Sequence, residues 1–349
     1  MKALNIGGIS IPVPIFQGGM GIGVSMSNLA AAVAKCGGVG VISAAQPGYR
    51  EADFYRNPIE ANGRALQKNI KDALHAIKDL PQKGAIGVNI MCAGKNYDEL
   101  VKASIEAGVQ FIISGAGLPT SLPGLCKGSK VKLIPIVSSA RAAAIIIKNW
   151  AKKFDRVPDA VIFEGPEAGG HLGFKEEQLE IAQEDFYKTI TEIKRELEPL
   201  TNCPLIVGGG IYHKSDMEKA MAYGADAVQI GSRFVTTEEC DVHENFKKAY
   251  LNCKKEDITI IKSPVGMPGR AIRNAFIKKV EQGRIPPERC NGCITSCKPA
   301  TAMYCITEAL ISAAKGDMDN GLIFCGSKTY QSEKIDTVAD VFAEFCGKQ

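Results

Sequence analysis

The sequence predicts an α/β protein, a (β/α)8 barrel with an extra segment after its eighth strand. Three observations lead there. Short runs rich in Val and Ile alternate with amphipathic segments over residues 13–231, and eight of those runs fit strands. Small, glycine-containing turns follow several different runs, and residues 236–300 then break the rhythm. Parallel strands buried on both faces read as short apolar runs, and eight strand–helix units close such a barrel. A doubly wound sheet is the alternative. It would show one glycine-rich fingerprint after its first strand and an acidic residue about 20 positions on. Here Gly18-Gly19, Gly115-Ala116-Gly117, Gly169-Gly170, Gly208-Gly209-Gly210 and Gly231 follow different strands, as the mouth of a barrel would require.

The strands are expected at 14–16, 39–43, 85–90, 110–114, 132–137, 160–164, 204–207 and 227–230. The first helix, 27–35, opens on Ser27 as its cap and stops at Gly37. The second connection, 44–84, is long and carries a helix around 60–80. Helices at 97–107, 140–153, 184–197 and 215–223 follow, two of them ending at Gly108 and Gly224; glycine supplies the left-handed turn that ends a helix. Residues 236–300 hold a loop, SPVGMPGRAIRN, a helical run to Gly283 and a cysteine-rich segment, and a helix resumes at about 301–315. The expected organisation is a barrel of residues 1–235 and 301–349, with 236–300 inserted as a lid or substrate domain.

Composition narrows the function. The chain has 349 residues, with 42 Lys and Arg against 38 Asp and Glu, for a net charge of +4. No Lys/Arg run exceeds two residues, so the basic stripe of a nucleic-acid binder is missing. No apolar stretch approaches the ~20 residues of a bilayer span, and MKALNIGGISIPVP carries no continuous apolar core of a secretory signal. A cytoplasmic protein with no nucleic-acid or membrane partner is expected, acting on a small molecule, with a homodimer left open. Its 12 Cys are then reduced thiols rather than a disulfide framework.

The chemistry of a barrel gathers just past its strands. Gly208-Gly209-Gly210 ends the seventh strand and Gly231-Ser232-Arg233 the eighth. Loops there are the recurring phosphate site of barrel enzymes, where main-chain N–H groups cradle the anion. Tight turns are the plainer explanation for either triplet alone; the two together favour a phosphate-bearing ligand. The sixth strand runs into GPEAGGHLG, which carries His171, one of only four His in the chain. Among glycines its ring has few neighbours to pack against, and imidazole suits proton transfer near neutral pH. His75, His213 and His243 have no such setting. A metal at His171 is disfavoured, because only Glu164 and Glu167 stand near it in sequence.

At this point PIFQGGMGIGVS, GVNI, SGAG, EGPEAGGHLG, GGGI and QIGSRF, in order along the chain, resemble the nitronate monooxygenase (2-nitropropane dioxygenase) family, which includes the flavin-dependent enoyl-ACP reductases. The resemblance implies an FMN-binding (β/α)8 TIM barrel with a small lid domain inserted after the eighth strand. It implies that Gly18, Gly19 and Met20 lie against the flavin, with Asn89 near its ring or ribityl chain. Ser114, Gly115, Gly169 and Gly170 should border the same cavity. Gly209, Gly210, Gly231 and Ser232 should hold the phosphate, with Gln229 close by, and His171 matches the family's active-site histidine. Arg270 and Arg273 can meet an anionic substrate or a cofactor phosphate, or can simply be solvated.

The implied activity is oxidation of alkyl nitronates with O2. Reduction of an enoyl thioester by NAD(P)H, or of a quinone, is the alternative on the same scaffold. A flavin-binding electron-transfer module is the non-enzymatic one. Cys290, Cys293, Cys297 and Cys305 form a C-x2-C-x3-C-x7-C segment. Thiolates at this spacing can wrap an iron–sulphur cluster or a Zn ion. Plain buried thiols are the leading reading, because Cys305 falls in an apparent helix.

Overall fold

The computed structural model describes residues 2–347. Two short strands, β1 (Leu4–Ile6) and β2 (Ile9–Ile11), form an antiparallel hairpin. The barrel strands follow: β3 (Ile15–Gln17), β4 (Val39–Ser43), β5 (Ala85–Met91), β6 (Phe111–Gly115), β7 (Lys132–Val137) and β8 (Val161–Glu164). After a two-residue strand outside the barrel, β9 (Gly170–His171), come β10 (Leu205–Gly208) and β11 (Ala227–Ile230). The eight strands pair in parallel and close on themselves where β11 meets β3, with Val228 opposite Ile15 and Ile230 opposite Gln17. The protein is a (β/α)8 TIM barrel.

The barrel interior explains why the strands are so apolar. Phe16, Phe111, Ile134, Ile162 and Ile206 are fully buried in one cluster that fills its N-terminal end. Ile6 and Ile11 of the hairpin join that cluster with no exposed surface, so β1 and β2 plug the end of the barrel opposite the site. Each such isoleucine contributes ~1.5–3 kcal/mol by leaving water.

A second, larger cluster lies between the strands and the outer helices. The helix Phe186–Leu197 buries Phe186, Ile190, Ile193 and Leu197, one residue per turn on one face. Helix Val338–Cys346 starts on a Thr337/Asp340 capping box and packs against helix Ser27–Lys35, so the last helix closes the outer ring. One expected cap and two expected boundaries differ. The Ser27–Lys35 helix is capped by a residue distant in sequence: the Asp241 carboxylate accepts from Met26 N at 3.0 Å and Leu29 N at 3.1 Å. The helix expected at 184–197 starts at Phe186, and a separate short helix, Leu179–Glu184, precedes it. The helix expected from 301 is Ile306–Ala314, so Cys305 is its N-cap and not an interior residue.

Past the barrel, a hairpin of β12 (Ile258–Lys262) and β13 (Pro268–Ile272) forms where a loop was expected. Its third strand is β9, with His171 opposite Gly269 and Gly170 opposite Arg270. That pairing joins residues about a hundred positions apart, which no local pattern of turn residues announces. A separate apolar cluster includes Val265, Phe276, Ile294, Tyr304, Ile306 and Leu322. It crosses residue 300, where the inserted segment was expected to end. Met1 and residues 348–349 of the expected barrel domain lie outside the described residues. Among the described residues no helix is long and apolar enough to cross a membrane.

Candidate active site

The C-terminal ends of the barrel strands surround a cavity of about 530 Å³. Gly18, Gly19 and Met20 line it from the end of β3, Asn89 from β5 and Gly115 from the end of β6. Gly169, Gly170 and His171 come from the segment after β8. Gly209 and Gly210 after β10, and Gln229, Gly231 and Ser232 at the end of β11, complete the wall. Ser114 is a correction: it does not line the cavity. Side chains alternate along a strand, and Ser114 is fully buried facing outward, where its hydroxyl bonds Ile90 O at 2.9 Å and Tyr97 OH at 2.9 Å.

The two glycines after β10 adopt φ values of +79° and +115° at Gly209 and Gly210. A Cβ there would press on Gly165 O at 2.5 Å and on Glu167 Oε2 at 2.6 Å. The chain therefore turns with bare main chain facing the cavity, as anion cradles do. Beside it the Gln229 side-chain oxygen is buried and has no hydrogen-bond partner within the protein. A buried acceptor left unpaired costs ~1–3 kcal/mol, so its position at the wall marks a place where a ligand donor belongs.

His171 is better held than its glycine neighbours suggest. Its Nε2 stands 2.7 Å from the Ser263 hydroxyl, and its ring meets Phe324 edge-on at 5.0 Å between centroids. Burial pushes its pKa down to about 4, so the ring is neutral near pH 7. Glu164, at the C-terminal end of β8, also lines the cavity, and burial raises its pKa to about 7. Above both sits an apolar roof from the region after the barrel, including Val265, Met267, Ile294, Leu310 and Phe324.

Sequence reading missed Ser263, Phe324 and Lys328, all carried by segments after the eighth strand. The Lys328 ammonium donates to Gly210 O at 2.8 Å and pairs with Asp216 at 2.7 Å, bracing the glycine turn. The short LIFCGSK run between two helices was the available signal. The two arginines part ways, Arg273 solvated as one expectation had it and Arg270 placed as neither expectation had it. Arg273 is exposed and pairs with Glu281 at 2.6 Å. Arg270 is buried, and its guanidinium donates to Pro166 O and Ala168 O.

Cys290, Cys293, Cys297 and Cys305 rim a small cavity of about 20 Å³, but no three His, Cys, Asp or Glu side chains among the described residues come together as ligands of an ion. Cys290 is exposed, and Cys293 and Cys297 pack on the apolar cluster.

Residues 2–348 match the family model described as nitronate monooxygenase. The chain is similar, at 26% identity over 273 residues, to the (3aS,4S,5R,7aS)-5-hydroxy-7a-methyl-1-oxo-octahydro-1H-indene-4-carboxyl-CoA dehydrogenase of Rhodococcus jostii (strain RHA1). That match covers 78% of this chain but only 66% of the relative's length. A probable nitronate monooxygenase of Staphylococcus saprophyticus is 26% identical over 294 residues, with 78% and 79% of the two chains covered. Among solved structures, FabK from Thermotoga maritima superposes with a TM-score of 0.73 at 27% identity, covering 97% of this chain and 93% of that one.

Proposed function

The chain belongs to the nitronate monooxygenase family, a family of oxidoreductases, and from that premise we propose that it is an FMN-dependent enzyme oxidising small alkyl nitronates with O2. The residues present fit the cofactor. The bare glycine turn, the unpartnered Gln229 oxygen and the volume of the cavity suit a flat, phosphate-bearing ligand with donor groups along its length. Gly209, Gly210, Gly231 and Ser232 would take the phosphate. Gly18, Gly19 and Met20 would lie against the ring, with Asn89 at the ring or ribityl chain. FMN, when bound, supplies the electron-accepting chemistry, and the protein supplies orientation and electrostatics.

One observation carries the choice of substrate: His171 lies in the cavity wall with its Nε2 2.7 Å from the Ser263 hydroxyl, and its burial there holds its pKa down at about 4. So weak a base is poorly matched to pulling a proton from a neutral nitroalkane near pH 7. An imidazole N–H is instead suited to donating a hydrogen bond to an oxygen of a nitronate that arrives already ionised. Ser263 orients the ring, and the apolar roof excludes water and takes the alkyl chain.

The same apolar roof also supports a second reading. It would admit the acyl chain of a thioester, and the Rhodococcus relative is named for a CoA thioester. Under that reading NAD(P)H is the reductant. The deciding assay sets a propyl nitronate with O2 beside NAD(P)H with a crotonyl thioester, using purified flavin-loaded protein. Turnover of the nitronate alone supports the proposal. Turnover of the thioester alone replaces it with the second reading.

A further inference from the structure

Arg270 is a buried cation with an unusual set of partners. It is only 9% exposed. One terminal nitrogen of its guanidinium donates to two main-chain carbonyls, Pro166 O at 2.7 Å and Ala168 O at 2.6 Å. Both belong to the turn that leads from β8 to His171. Burying a charge is costly unless its bonds are satisfied, and short charge-assisted bonds are the strong kind. The turn they hold, GPEAGGH, has glycine at 165, 169 and 170, so few side chains of its own can pin it.

The main chain around Arg270 reinforces the link. Arg270 lies opposite Gly170 and its neighbour Gly269 opposite His171 in the β9–β13 ladder. Its own carbonyl accepts from Cys325 N at 3.1 Å, next to the Phe324 ring that packs on His171. Ser263, the ring's hydrogen-bond partner, precedes β13 in the same hairpin.

We propose that Arg270 is the positioning residue for His171: its guanidinium ties down the carbonyls of Pro166 and Ala168 and so fixes the glycine-rich turn in the register that delivers the ring to Ser263 and the cavity. The role rests on the reading of His171 as the group that meets the substrate. It is separate from any contact with substrate or cofactor, since Arg270 acts through the turn alone.

The test compares Arg270→Met, which keeps volume and removes the charge, with Arg270→Lys, which keeps the charge on a shorter stem. Both are studied as flavin-loaded full-length protein. The chain has only four His, so H171N assigns the His171 ring signal by NMR. The charged and titratable groups on the elements around the ring are Arg270 on β13, Lys262 at the end of β12, Glu164 and Glu167 ahead of it in the chain, and Cys325 beside Phe324. In the parent protein the His171 signal should stay constant from about pH 5.5 to 8, as an imidazole held far below its ordinary range does. In R270M the turn relaxes, the ring hydrates, and the signal should titrate near 6.5, with kcat falling about 10–100-fold and KM changing far less. R270K should lie between the two. A folded R270M whose His171 signal still does not titrate overturns the proposal. If R270M fails to fold, an R270K ring signal and kcat identical to the parent overturn it equally. Should H171N itself leave turnover unchanged, the reading of the active site fails, while the ring titration still decides whether Arg270 positions the turn.

Discussion

His171 Nε2 and Ser263 Oγ stand 2.7 Å apart, joining the turn after β8 to the hairpin that follows the barrel. The two residues are 92 positions apart, and the bond sets which ring nitrogen is left for a substrate. Ser263→Ala should cost about 1 kcal/mol of stability, the usual worth of one such bond, and should lower kcat without releasing flavin. Urea unfolding and steady-state kinetics on one preparation check this; unchanged values of both would show the bond to be incidental.

His171→Ala should lower turnover by roughly 10²–10³, the range for a lost hydrogen-bond donor to reacting oxygens. It should also cost ~1–3 kcal/mol, because the ring packs on Phe324 rather than standing free. Retention of bound flavin by the variant separates chemistry from collapse of the site.

The two perturbed groups in the cavity should oppose each other in pH dependence. His171 falls from an ordinary 6.5 to about 4. The unfolded chain therefore binds the extra proton first, and stability is lost as pH drops from 6.5 toward 4. Glu164 rises from 4.5 to about 7. Its neutral form is favoured in the folded protein, so its contribution is present below 4.5 and is lost as pH rises through 7. Each is worth up to about 3 kcal/mol across its window, and in the parent protein they largely cancel between pH 4.5 and 6.5. Glu164→Gln should make stability rise with pH over that window, and His171→Asn should make it fall. Denaturant midpoints at several pH values test the signs; parallel slopes in the two variants would refute the assignment.

Gly210→Ala should weaken flavin retention by at least about 10-fold. The new Cβ meets Glu167 Oε2 at 2.6 Å in a backbone conformation, φ +115°, that side chains rarely adopt. The ratio of flavin to protein absorbance after dialysis measures it. Gln229→Leu offers the complementary result: weaker flavin binding, with flavin-free stability unchanged or raised by about 1 kcal/mol as an unpaired buried acceptor disappears.

Thiol labelling of the native protein should modify the exposed Cys290 first, and should reach the buried Cys126, Cys240, Cys253 and Cys325 only after unfolding. One Zn per chain by metal analysis would overturn the reading of the cysteine-rich segment as plain thiols.

The barrel was legible in the chain because its cause is local and repeated. Each strand is a short run of β-branched residues buried on both sides, and each helix shows one apolar face. Three of the eight barrel strands, Val39–Ser43, Lys132–Val137 and Ala227–Ile230, coincide with the runs read from the sequence, and the rest differ by one residue at one or both ends. The cavity wall was legible for the same reason, since glycines and one histidine follow the strands in order. Tertiary structure alone decided what holds that histidine. Ser263, Phe324 and Arg270 come from a hairpin and a loop whose pairing with β9 depends on contacts roughly a hundred residues or more away. Whether an arginine is solvated or buried against two carbonyls, whether a serine faces a cavity or the outer helices, and whether four cysteines share an ion all depend on where side chains point after the chain has closed. That direction is fixed by packing between distant segments, and short-range periodicity carries no record of it.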